Sequence, residues 1–270
     1  MKKLFSLLLL TLACGSSWAF QREIIAIHSE AMNKNVMARV LLPDGYYDMK
    51  DLPVVYLLHG FSDNESKWDV NANVGRFADL YKIIIVTPDG GYDSWYFDAP
   101  EDPTYRYETF VTKELIGYID SHYRTSARRQ MRAITGLSMG GHGAMYLAIR
   151  NKDIFGSVGS TSGGLDIRPF PGNWGISKRL GKIEEHPENW EQHTVINVVD
   201  SLKNGELNIV FDCGYEDFFY QVNCNMHEKL QKMGIAHDFF RRPGSHNWSY
   251  WTNSIQYQML FFNNCFKRVK

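Results

Sequence analysis

TGLSMGGHG, residues Thr135–Gly143, decides how the rest of this chain is read. The apolar run ending at Ile134 reads as a buried strand, and the residues from Gly143 to Asn151 read as a helix. Glycine fills four of the nine positions from Gly136 to Ala144, with one serine and one histidine among them. Three readings compete: a flexible turn, a phosphate cradle, or a nucleophile held on a sharp bend. The phosphate reading needs a Lys-Ser/Thr pair after the glycines, or the spacing G-x-G-x-x-G, and neither is there. G-x-S-x-G between a strand and a helix has a more specific use. Glycines two before and two after Ser138 let strand and helix pack closely, and the strained bend pushes the hydroxyl out at the carboxyl edge of the sheet. The Met139 amide, at the helix start, then points where an oxyanion would form.

A serine hydroxyl needs a base, and the base needs a group that fixes its tautomer. On such a strand-turn-helix frame the chain order is serine, acid, histidine. Beyond Ser138 the histidines are His142, His186, His193, His227, His237 and His246. His142 lies one turn along the helix and points away from the exposed oxygen, which suits packing. His227 opens HEKLQ, which misses the zinc pattern H-E-x-x-H because Gln231 stands at the second histidine, so no metal is expected. His246, in RPGSHNW, follows the last strand in a tight loop at the carboxyl edge and is the expected base. The acid belongs after LNIVFDCG. Asp217 is preferred there; Asp212 sits inside the strand end and suits ordering of the turn, and Glu216 is a third option. The second oxyanion donor is expected from His59-Gly60-Phe61, as the Phe61 amide, with His59 as an ordering residue.

The frame around these residues is α/β. EIIAIHS and NVMARVLLP, on either side of a turn at Asn33-Lys34-Asn35, read as an antiparallel pair at the sheet edge. VVYLLHG, KIIIVTPDG and LNIVFDCG are continuous apolar runs ending in Gly or Asp, as strands buried on both faces should be. FGSVGSTSG and HDFFRRPG complete the set, and helical spacing appears over Tyr105–Tyr123 and Gln221–Met233. Strand and helix alternate, which predicts a mostly parallel sheet between helical layers in one domain over 20–270. An insertion near 165–203 breaks the rhythm, either as a substrate-side lid or as helical surface decoration.

The chain has 270 residues, with 29 basic and 30 acidic side chains. Residues 1–19 carry Lys2 and Lys3, an apolar LFSLLLLTLA and small residues at Ser17 and Ala19, the pattern of a secretory signal peptide. A lipoprotein anchored through Cys14 is the rival reading. The expected localisation is exported, periplasmic or secreted, with the Cys14-anchored lipoprotein as the alternative. No basic run stands out, so nucleic acid is excluded as a partner, and no later stretch is apolar enough to insert stably in a membrane. Cys213, Cys224 and Cys265 allow one disulfide at most, or three buried thiols.

The chain resembles the esterase D family of α/β-hydrolases, which holds bacterial feruloyl and acetyl-xylan esterases, S-formylglutathione hydrolases and mycolyltransferases. The matching pieces are LLHG, YETFVTKELIGYID, GLSMGGHGAM, DCGYEDF, MHEKLQKMG and PGSHNWSYW, spread over about residues 36–262. The resemblance implies an α/β-hydrolase fold and serine esterase chemistry without a cofactor. It puts the nucleophile, acid and base on Ser138, Asp217 and His246, with Phe61 and Met139 as oxyanion donors. Export fits acetyl or feruloyl esters on carbohydrate, or other small esters, better than an intracellular thioester of the S-formylglutathione kind. Acyl transfer of the mycolyltransferase kind is the alternative. Trp95, Tyr96 and Trp174, with Trp190, are candidates to stack on a sugar or an aromatic acyl group, ordinary packing being the other reading of each.

Overall fold

The computed structural model describes residues 20–269; the expected leader with Cys14, and Lys270, lie outside the described residues. Eight strands form one sheet: β1 (Gln21–Ser29), β2 (Lys34–Leu42), β3 (Val54–Leu58), β4 (Ile84–Pro88), β5 (Arg132–Gly136), β6 (Ser157–Thr161), β7 (Asn208–Gly214) and β8 (Asp238–Arg242). Their order is β1-β2-β4-β3-β5-β6-β7-β8. β1 and β2 pair antiparallel, as do β2 and β4, and every other pair is parallel. The fold is an α/β-hydrolase sheet with an antiparallel N-terminal edge. Its first turn occupies residues 30–33, slightly earlier than the sequence suggested. Asn33 takes the left-handed φ of 49° there, and Lys34 and Asn35 already pair in β2.

The helices are α1 (Lys67–Ala72), α2 (Gly75–Tyr81), α3 (Tyr107–Thr109), α4 (Ile116–His122), α5 (Met139–Arg150), α6 (Ile176–Leu180), α7 (Pro187–His193), α8 (Val195–Val198), α9 (Tyr220–Lys232) and α10 (Trp248–Lys267). Between α3 and α4 the backbone runs as a π-helix over Phe110–Leu115.

Alternation along the central strands supplies two cores. Val54, Tyr56 and Leu58 face one apolar cluster with Ile134, Leu147 and Phe155. Val55 and Leu57 face the other, with Trp68, Phe77, Ile255 and Phe262 from α1, α2 and α10. All five residues of β3, β4 and β5 are buried, which explains the near-continuous apolar sequences of β3 and β4. Edge strand β1 alternates exposed with less exposed residues over most of its length, the period-two pattern of a strand with one wet face.

Strand order reverses at β3, which lies between β4 and β5 although it precedes both in the chain. At such a switch point neighbouring loops leave the carboxyl edge in different directions and open a crevice. The loops after β3 and β5 carry Phe61 and Ser138. The insertion near 165–203 folds into α6, α7 and α8 and packs largely on the core, with Trp190 and Val195 fully buried. Part of it reaches the crevice through Trp174.

Candidate active site

Ser138 sits between β5 and α5 with φ 54° and ψ −118°, a region that non-glycine residues avoid. Strain of this kind costs about 1–3 kcal/mol and persists only where the surroundings enforce it. They do so here. The Ser138 amide donates to the Thr161 carbonyl on β6 (3.0 Å), Leu137 donates to Leu58 on β3 (3.3 Å), and the Ser138 carbonyl accepts from His142 N–H (3.0 Å). The glycines give the clearance that the sequence pattern implied. A Cβ on Gly136 would stand about 2.5 Å from the Gly140 carbonyl oxygen, and one on Gly140 about 2.5 Å from the Leu58 and His59 carbonyls.

The histidine that meets this serine is His246, 108 positions along the chain. Its Nε2 lies 2.9 Å from Ser138 Oγ, and its Nδ1 lies 2.9 Å from Asp217 Oδ2. The Asp217 side chain is fully buried and that of His246 is 16% exposed, so the imidazole keeps one edge toward solvent. The other Asp217 oxygen accepts from the Phe219 amide (2.8 Å), which aims Oδ2 at the imidazole. The loops that carry Asp217 and His246 are zipped together. Tyr215 N–H donates to the Arg242 carbonyl (2.9 Å), Glu216 N–H donates to the Gly244 carbonyl (3.0 Å), and the Glu216 carboxylate accepts from Gly244 N–H (2.5 Å). Glu216, the third acid considered, thus holds the loop before His246 and does not reach the imidazole.

Asp212 is also tied elsewhere. It is wholly buried and accepts from Thr161 Oγ1 (2.8 Å), Ser254 Oγ (2.5 Å) and Gln258 Nε2 (2.9 Å), a network joining β6, β7 and α10. Burial raises its pKa, against the pull of these hydrogen bonds and of Arg242. His142 is enclosed by Trp95, Phe97 and Tyr146, and its Nε2 lies 2.9 Å from the His193 carbonyl oxygen. Burial pushes its pKa down to about 3, so it is a neutral packing residue.

The Phe61 and Met139 amides have no hydrogen-bond partner among the described residues; Phe61 lines the crevice, and Met139 follows Ser138, which also lines it. The loop that carries Phe61 is pinned from beneath. His59 accepts from Gly90 N–H at Nε2 (2.6 Å), so its proton sits on Nδ1 and donates to the Gly60 carbonyl (2.8 Å). The Met139 amide also heads the twelve-residue α5, where the helix dipole favours negative charge.

The crevice has a volume of about 230 Å³, and Phe61, Leu137, Trp174, Phe218 and Trp251 supply its apolar walls. Trp174 and Phe218 stack at 5.3 Å, and Phe218 packs 4.2 Å from the His246 ring. Of the expected stacking residues only Trp174 lines it. Trp95, Tyr96 and Trp190 are buried in the core, and this corrects the reading of Trp95 and Tyr96 as substrate contacts. They act from behind: Trp95 Nε1 donates to the Trp174 carbonyl (3.1 Å), and Tyr96 Oη donates to the His59 carbonyl (3.2 Å). A cavity of about 310 Å³ at the amino ends of β7 and β8, lined by Leu207, His237, Asp238 and Cys265, lies apart from these groups. Cys213, Cys224 and Cys265 are all free thiols.

A family model described as "Putative esterase" matches residues 29–262. The chain belongs to this esterase family. The esterase is 26% identical over 251 residues to an acetyl esterase of Caldicellulosiruptor saccharolyticus, a match covering 86% of this chain and 94% of that one. It is 30% identical over 250 residues to an esterase of Mycobacterium tuberculosis, covering 81% of this chain and 54% of the relative, so it spans about half that protein's length. Among solved structures a ferulic acid esterase superposes with a TM-score of 0.79 at 28% identity, covering 92% of this chain and 99% of that one. The protein is a carboxylic ester hydrolase by family.

Proposed function

We propose that this esterase cleaves carbohydrate-linked or small acyl esters, acetyl or feruloyl, through an acyl-enzyme on Ser138. The observation that carries the reading is the single imidazole of His246 placed 2.9 Å from both Ser138 Oγ and Asp217 Oδ2. Ser138 Oγ attacks the ester carbonyl carbon while His246 Nε2 takes its proton. Asp217 holds the Nδ1–H tautomer and offsets the imidazolium charge. Negative charge that develops on the carbonyl oxygen falls to the Phe61 and Met139 amides, which have no competing acceptor. The alkoxide then leaves with the proton from His246. Water repeats the sequence on the acyl-enzyme, which releases the acid and restores Ser138.

The acetyl and feruloyl classes rest on two relatives, an acetyl esterase and a ferulic acid esterase, and on aromatic walls suited to a flat group. Work outside the cytoplasm, as a periplasmic or secreted enzyme, rests on the lysine-led apolar run at residues 1–19. The test is a panel of p-nitrophenyl acetate, methyl ferulate and acetylated xylan against the protein and its Ser138→Ala variant. Turnover with release of free acid, lost in the variant, supports the reading. Equal turnover by both proteins removes Ser138 as the nucleophile.

A further inference from the structure

One charged side chain in the crevice has no part in the mechanism above. Asp63 lines it together with the apolar walls, on the turn that follows Phe61. That turn is fixed: Asp63 N–H donates to the Gly60 carbonyl (3.2 Å), and Ser62, at φ 61°, donates to the Tyr92 carbonyl (2.8 Å). The carboxylate is partly buried and accepts no hydrogen bond from the described residues. Burial pushes its pKa up, and Lys67 acts on it only through space. A second polar group of the same crevice, the buried indole N–H of Trp251, is also without a partner among the described residues.

A carboxylate in this place opposes the oxyanion that the neighbouring amides favour, so it has a cost for the chemistry itself. The natural compensation is a donor brought by the substrate. We propose that Asp63 is a specificity-determining residue: it takes a hydroxyl of the ester by hydrogen bond and turns away esters whose corresponding position carries a carboxylate. The proposal rests on the Ser138 ester-hydrolase reading and adds the polarity of the group beside the reacting bond. A hydroxyl bonded to a charged acceptor gains over its methyl ether, since the ether leaves that acceptor unpaired. Like charge at crevice distances and in reduced dielectric costs at least as much.

The experiment uses two matched ester series, one varied on the acyl group and one on the alcohol. Each ends in a hydroxyl, a methoxy or a carboxylate. kcat/KM is measured for the protein, Asp63→Asn and Asp63→Ala, and each value is divided by the same protein's p-nitrophenyl acetate value. In the series that faces Asp63, the hydroxyl-over-methoxy preference falls about tenfold or more in Asp63→Ala. The carboxylate ester gains about tenfold or more in both variants. Unchanged ratios in both series overturn the assignment; the isosteric Asp63→Asn keeps the test valid if the alanine variant folds poorly. Failure of the unaltered protein to cleave p-nitrophenyl acetate would instead overturn the underlying esterase reading.

Discussion

His246 Nδ1 stands 2.9 Å from Asp217 Oδ2, while Asp212, five residues earlier, spends its carboxylate on Thr161, Ser254 and Gln258. The two aspartates therefore answer to different measurements. Asp217→Asn preserves shape but loses the acceptor that selects the tautomer, and kcat on p-nitrophenyl acetate falls about 10³–10⁴-fold with the melting temperature little changed. Asp212→Ala leaves three buried donors unsatisfied and unfolds at lower denaturant, by about 3 kcal/mol or more. A larger loss of kcat at Asp212, with the fold intact, would reverse the two roles.

Gly140→Ala tests the bend. The added methyl meets the Leu58 and His59 carbonyls, which are backbone atoms of a buried strand end and cannot yield cheaply. Expected results are a stability loss of about 1–3 kcal/mol by urea titration and a fall in kcat beyond what unfolding explains, because Ser138 is displaced. A variant with normal kcat would show that the close approach does not set the serine's position.

Trp174 and Trp95 separate substrate contact from support. Trp174→Ala removes a crevice wall, so KM for an aromatic ester such as methyl ferulate rises several-fold while kcat for p-nitrophenyl acetate changes little. Trp95→Ala empties a fully enclosed core site and costs about 3–5 kcal/mol of stability. Equal KM effects from the two, at equal stability, would put Trp95 back in the crevice.

His142 makes stability depend on pH with a definite sign. Its folded pKa is held down to about 3 by burial, against an ordinary 6.5 in the unfolded chain. Between those values the unfolded state binds a proton that the folded state does not, so this contribution is intact above pH 6.5 and is lost as pH falls toward 3. The slope from one such group approaches about 1.4 kcal/mol per pH unit. Urea titrations at pH 7 and pH 5 therefore show a smaller pH-dependent loss for His142→Gln than for the unaltered protein. Identical losses would mean that His142 is charged in the fold at pH 5.

Much of this was legible in the sequence for identifiable physical reasons. β3, β4 and β7 are apolar runs because both their faces are covered, and the glycines around Ser138 mark a close backbone approach that no other residue allows. His246 and Asp217 followed from chain order on that frame. Other features were hidden. α10 carries Trp, Tyr, Phe, Asn and Thr in place of strong helix formers, and it is held by packing against β6 and β7 more than by propensity. Trp95 and Tyr96 looked like crevice residues because a sequence does not show that Trp95 packs on His142 and Trp174, or Tyr96 on His59 and Tyr107. Phe218 was passed over beside Asp217, since only the direction of that loop brings its ring to His246. Asp63 gave no signal at all: a lone acid in a polar turn reads as solvent-facing until the crevice is seen around it.

The central claim is that Ser138 Oγ forms the acyl bond, and covalent trapping tests it most directly. The protein is incubated with an activated fluorophosphonate, which mimics the tetrahedral intermediate, and is digested and mapped by mass spectrometry. The expected result is one phosphonyl group on the peptide holding Ser138, loss of ester turnover in step with labelling, and no label on Ser138→Ala. Label on another residue, or full turnover after Ser138 is occupied, would contradict it.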